Sequence, residues 1–465
     1  MRIRTFLYNI GAGSLLLMGI SCKKLIGIPP NPPTQITEAQ QFSDSLTAMS
    51  AVAGVYTFTA LGKGFTYNDG QLSWITGVSG DELIYTSSGN AGAKAFFDNG
   101  VTPINDELNS LWSGPYTGIY PVNVILERMA SSTALSASFR KQVTAEMKVV
   151  RALYYFNLVN LFGPAPIVTA SNYKVNAFLS RSSVDSVYDQ VLSDLTESMQ
   201  ALTPDYPSAG HLRPNLYTAE SLLAKVYLYR QQWQKAFDAA NDVIESHVYT
   251  LEQDLNKVFL DGSTEAIWQI PTIGQYFRNP EAAQYIPQSP GSIPNYILSP
   301  ALLNVFSPGD QRLVNWAQQV VINIDGTDKN FYYPYKYKNV YPGATVEDFM
   351  IFRLADVYLI RAEAAAHLDN TNQALADLKT VRERAGLGES TAATKDEVLA
   401  AVQKERLAEL FTEWGNRWFD LKRTGTIDAV LGAAKPNWKP FCALYPVPRS
   451  QIILDPNLKQ NPGYN

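Results

Sequence analysis

Two stretches of this chain combine ring side chains with amide and charged groups in a way that suits a hydroxyl-rich ligand. The first holds Trp74, Asp81, Glu82, Tyr85 and Asn90; the second holds Tyr276, Arg278, Asn295 and Tyr296. Aromatic rings stack on the flat C–H faces of a sugar. Amides, carboxylates and guanidinium groups hydrogen-bond to its hydroxyls. Any one ring in a folded chain is more often core than ligand contact, so the expectation rests on the set. Trp74, Asp81, Tyr85, Asn90, Tyr276, Arg278, Asn295 and Tyr296 are expected to line one shallow site, with the rings half exposed.

Other chemistries find less support. Asp81, Glu82, Asp98 and Asp106 could supply the carboxylate pair of a glycosidase, but adjacent Asp81 and Glu82 would diverge in a loop or strand. His211, His247 and His367 stand far apart, and no HExxH or CxxC occurs, so zinc is not expected. Asn323, Asp325, Asp328 and Asn330 resemble a calcium loop in composition only. Asp325-Gly326 is a hairpin turn signal, and no Glu closes the loop. Gly62-Lys63-Gly64 lacks phosphate-loop spacing. No catalytic residue, cofactor or metal is expected.

With 465 residues the chain can bury a large core. Net charge is −5, which argues against nucleic acid, a partner that needs a basic face. The 26 tyrosines suit a half-wet binding surface, because each ring carries a polar tip. Only Cys22 and Cys442 occur, so a disulfide framework is excluded. Arg2 and Arg4 precede an apolar run from Phe6 to Ile20 that ends at Gly19-Ile20-Ser21-Cys22. That pattern predicts a secretory signal over 1–21 and a lipidated Cys22. Pro29, Pro30, Pro32 and Pro33 then form an extended spacer over 22–36, and a single folded domain is expected over 37–465.

The elements that must position the two stretches are helix pairs. Leu354, Val357, Tyr358, Ala362 and Ala365 recur at helical spacing; Asp369 to Asn372 break the period; Ala374, Leu378 and Val381 resume it. This is a tetratricopeptide-like pair, and such a pair needs others to cover its apolar face. A second pair is expected from Thr218 to Ser246. Further helices are expected over Ser43–Thr57, Trp112–Met129, Ser138–Phe162, Ser183–Leu202 and Asp396–Glu413, with a third pair in 113–162 and a fourth in 184–246 or 396–415. The helix pairs thus fall at about 113–246 and 349–423. Period fails over about 58–110 and 255–345, where Ala266–Ile270 reads as a strand and Val320–Tyr333 as a hairpin. The fold class is mainly α: a helix-pair scaffold with an irregular, loop-rich lobe containing short β-hairpins.

Several strings resemble the signatures of the SusD/RagB family of outer-membrane nutrient-binding lipoproteins. They are RLADVYLIRAEA at 353–364; Trp112, Tyr116, Ile119 and Asn123; Arg151, Ala152, Tyr155, Phe156 and Gly163; Glu405, Arg406, Arg417, Trp418, Asp420 and Arg423; and Asn457 to Tyr464 near the C-terminus. The resemblance implies a SusD-like scaffold that binds glycan, is not an enzyme, and hands its ligand to a SusC-like TonB-dependent transporter. It implies a lipid-anchored, surface-exposed place on the outer membrane. It also places ligand contacts after the Asp81-Glu82 pair and near Asn295-Tyr296. Arg417, Asp420 and Arg423 are expected to form a buried ion network rather than touch ligand. The alternative reading is a tetratricopeptide adaptor for peptides. It accounts for the helices but not for the signal or the aromatic insertions.

Overall fold

The computed structural model describes residues 37–60, 70–271, 279–289, 291–340 and 346–464. Helices dominate it. In chain order the main elements are α1 Ser45–Ala60, α2 Leu72–Ser79, β1 Leu83–Tyr85, α3 Ala91–Phe97, α4 Asp106–Ser131, α5 Ala137–Phe162, α6 Val184–Met199, α7 Leu216–Tyr229, α8 Trp233–Glu245, β2 Ala266–Ile270, α9 Pro280–Tyr285, β3 Tyr296–Leu298, α10 Gln311–Trp316, β4 Ala317–Ile324, β5 Thr327–Pro334, β6 Phe349–Arg353, α11 Leu354–His367, α12 Thr371–Arg384, α13 Lys395–Leu410, α14 Asn416–Arg423 and α15 Arg449–Leu454.

The expected helix pairs are present. α4 packs on α5, α5 on α6, α7 on α8, and α11 on both α8 and α12. Their starts follow from local chemistry. Asn105, Ser136, Ser183 and Asn370 each accept a backbone N–H of the first turn, and Asn215 and Thr394 complete capping boxes. Alanines let α11 approach its neighbours closely: Ala362, Ala364, Ala365 and Ala366 are all buried. At Gly118 of α4 a Cβ would lie 2.5 Å from the ring of Tyr154 on α5, so only glycine permits this crossing.

The signature residues hold this scaffold together. Arg151 of α5 donates to both carboxylate oxygens of Asp194 on α6, at 2.8 and 2.7 Å, and to Asn123 of α4 at 2.8 Å. Arg406 of α13 joins Asp356 of α11 and Asp420 of α14. Arg423 pairs with Asp420 and Glu363. The expected network over 417–423 is therefore split: Asp420 and Arg423 belong to it, while Arg417 reaches away to Asp81.

Three two-stranded sheets stand beside the helices among the described residues: β1–β3, β2–β6 and β4–β5, all antiparallel. The β4–β5 hairpin turns at Asp325-Gly326, both with positive φ. There Asn323 binds Asp328 and the Gly326 N–H, so these side chains serve the turn. The stretch 58–110 departs from its irregular expectation, because α2 and α3 are helices within it. α2 is buried on every side, and a helix with no polar face carries no period to read.

Candidate functional site

The two ring-bearing stretches meet. β1 and β3 pair in register, with Leu83 opposite Leu298, Ile84 opposite Ile297 and Tyr85 opposite Tyr296. The seam continues at both ends. Thr86 N–H donates to the Asn295 carbonyl at 3.0 Å, and Ser299 N–H donates to the Glu82 carbonyl at 2.8 Å. Residues that face one another across an antiparallel pair share a side, so Tyr85 and Tyr296 come together, ring centroids 5.3 Å apart. Trp74 of α2 and Tyr285 of α9 add rings 5.6 and 5.9 Å from Tyr296.

Polar side chains edge this ring cluster. Gln284 donates to the Tyr296 hydroxyl at 2.8 Å. The Asn90 N–H donates to the Tyr85 hydroxyl at 2.9 Å. The Asn90 side chain caps α3 and also donates to Glu107 at 2.9 Å, while Gln71 donates to the other Glu107 oxygen at 2.6 Å. Asn90, Glu107 and Gln284 are partly exposed, and Asn295 is exposed. Buried polar atoms in this region without a hydrogen-bond partner among the described residues include Gln71 Oε1, Trp74 Nε1 and Asn279 Nδ2. Such atoms are uncommon in a folded chain and call for an explanation.

The expectation of half-exposed rings is not met. Trp74 and Tyr296 are each 2% exposed and Tyr85 is 8% exposed. Each stretch covers the other's rings, which a reading of either one alone does not reveal. Tyr276 and Arg278 lie outside the described residues. Asp81 is buried and committed to Arg417, whose Nε and Nη2 donate at 2.8 and 2.7 Å. Its neighbour Glu82 turns to the Thr412 N–H at 3.1 Å. Burial pushes the Glu82 carboxyl up to about 8, partly offset by that N–H. The two carboxylates therefore serve separate partners, as adjacency predicts.

The 411–417 connection grips this region from below. Besides Thr412 and Arg417, the Trp414 N–H donates to Ser73 Oγ at 3.1 Å. The E-R…R-W-F-D-L string thus positions β1 and α2 from more than 300 residues away. Gln71, Glu107 and Gln284 border the ring cluster and are not among the residues that the sequence reading singles out. The Asn105-Asp106-Glu107 cap was the available signal for Glu107. Ile84, turned away from the rings by strand alternation, lines a separate cleft of about 470 Å³ with Phe97, Ser299 and Lys435. Lys435 is spent there on the Val78 and Phe97 carbonyls.

Comparisons with known proteins agree with this architecture. Residues 304–464 match the SusD family, and residues 74–228 match a family described as starch-binding, associating with outer membrane. The chain is 25% identical to SusD-like protein P25 of Formosa agariphila, over 77% of this chain and 79% of that protein. It is 24% identical to SusD-like protein P2 of the same organism, over 98% and 99%. Among solved structures, a SusD superfamily protein of Bacteroides vulgatus superposes with a TM-score of 0.80 at 19% identity, over 91% of this chain and 100% of that one. A laminarin-binding SusD-like protein superposes with a TM-score of 0.76 at 24% identity, over 90% and 99%. Two separate stretches of the chain thus match SusD-type family models and the fold is shared over 91% of its length, so this protein resembles the SusD family in sequence signatures and architecture.

Proposed function

We propose that this protein binds oligosaccharide at the junction of its two ring-bearing stretches and passes it to a TonB-dependent transporter of the SusC type. The observation that carries the reading is the β1–β3 seam. It gathers four rings and sets Asn90, Glu107, Gln284 and Asn295 around them as a partly exposed polar edge. In this arrangement the amides and the carboxylate meet sugar hydroxyls, and the buried rings hold the edge in place. Tyr276 and Arg278 stay in the proposed ligand set, next to Asn279, where the described chain resumes. The starch-binding family description and the laminarin-binding relative support a glycan as the ligand class. The separate commitments of Asp81 and Glu82 support a reading of binding without hydrolysis.

The outer membrane is the proposed location, with Cys22, outside the described residues, as the lipidated anchor. No helix among the described residues is long and apolar enough to cross a membrane. A Cys22→Ala variant is expected to leave the membrane fraction and lose any acyl label.

A glycan array probed with the purified protein tests the ligand class. The expected result is selective retention of one glycan family with no release of reducing ends. Silence on glycans together with capture of peptides would favour the adaptor reading, and release of reducing ends would make the protein an enzyme.

A further inference from the structure

A second ring-lined surface lies away from the glycan site, on the flank of α4. It is a groove of about 480 Å³ between α4, the 166–179 loop and α15, with Trp112, Tyr116, Tyr120 and Tyr173 along it and Leu454 and Leu458 on the far wall. Its rim is unusually apolar: Tyr120 is 55% exposed, Tyr173 71% and Leu454 72%. A contiguous exposed apolar patch marks a contact surface. The groove is firmly built. Asn123 donates to the Val168 carbonyl, Ser171 binds Glu127 through its N–H and hydroxyl, and Ser450 ties α15 to Asn109.

We propose that the chain's own proline-rich segment, Pro29–Pro33, occupies this groove. Three observations favour that occupant. First, the described chain starts beside one end of the groove: Glu38 pairs with Arg128, next to the Glu127 that holds Ser171. Second, the lengths agree. Tyr120 lies eight residues before Arg128 on α4, about 12 Å at the helical rise. Pro33 lies four residues before Thr37 and Pro29 eight, about 12 and 25 Å at roughly 3.1 Å per residue in extended proline geometry. The five-residue run therefore spans from Tyr120 toward Trp112. Third, the chemistry matches. Proline-rich segments dock in grooves lined by aromatic rings, because their backbone is already stiff and loses little entropy on binding. The consequence concerns the tether. With Pro29–Pro33 held against α4, only about half of the Cys22–Thr37 stretch is free, and the body sits close to its anchor point in a restricted orientation.

The test uses the full chain with Asn31 replaced by a photo-crosslinking p-benzoylphenylalanine. Irradiation followed by peptide mapping is expected to give intramolecular crosslinks to 112–120 or 173–179. The Tyr120→Ala/Tyr173→Ala double variant should lower that yield at least fivefold. Both tyrosines are exposed, so its melting temperature should match the parent. Leu454→Asp, on the opposite wall, should give the same loss and guards against a local effect of the tyrosine changes. Crosslinks mapping elsewhere, no crosslinks, crosslinks only between two copies, or crosslinks only to a membrane partner would each overturn the proposal.

Discussion

Replacing Glu409 with alanine is expected to destabilise the fold by at least about 3–5 kcal/mol, because it strands buried cations without their counter-charge. Glu409 on α13 is fully buried and meets three guanidinium groups: Arg312 of α10 at 3.1 Å, Arg353 at the end of β6, and Arg384 of α12. Arg353 also binds Glu265 and Glu413, and Lys336 joins Glu413. Burial alone would push the Glu409 carboxyl up. The guanidinium groups of Arg384, Arg353 and Arg312 outweigh it and hold the group well below its usual 4.5. A depressed carboxylate contributes stability above its unfolded pKa, and that contribution is lost as pH falls through the folded value. The network joins strands, hairpin and helix pairs that are distant in sequence, so its loss should be global. Thermal or urea unfolding of Glu409→Ala reads the effect. A loss below about 1 kcal/mol would show that the arginines find other partners or water.

Tyr296→Ala should have the second large effect, about 3–5 kcal/mol, as for other large buried rings cut to alanine. The ring contacts Trp74, Tyr85 and Tyr285, and its truncation opens the centre of the β1–β3 seam. Tyr296→Phe removes only the bond from Gln284 and should cost about 0.5–1.5 kcal/mol. Melting curves of the two variants separate ring from hydroxyl. If Tyr296→Ala melts with the parent, the ring is not the core element described above.

Local and periodic features were legible in the sequence. The α11–α12 pair, the break at Asp369–Asn372 and the Asp325-Gly326 hairpin all follow from neighbours within a few residues. The convergence of the two ring-bearing stretches was readable as an expectation, since period failed in both while aromatics persisted. The depth of their rings was not. Tyr85 is covered by a strand that lies more than 200 residues downstream, and no local pattern encodes that cover. α2 was missed because a helix buried on all faces has no amphipathic stripe. The partners of Arg353 lay out of reach for the same reason as the cover over Tyr85: Glu409 is 56 residues away and Glu265 is 88. Spacing alone grouped Arg417 with Asp420, whereas geometry gives Arg417 to Asp81 across the fold.

The central claim is that the polar edge over the ring cluster binds glycan. Its most direct test is calorimetric titration of an array-selected oligosaccharide into the parent and into an Asn90→Ala/Gln284→Ala variant, with melting temperatures recorded for both. Two lost hydrogen bonds at about 0.5–1.5 kcal/mol each predict roughly a tenfold or greater loss of affinity, in a variant that remains folded at the assay temperature. Unchanged affinity in that folded variant would contradict the account and place the glycan elsewhere on the molecule.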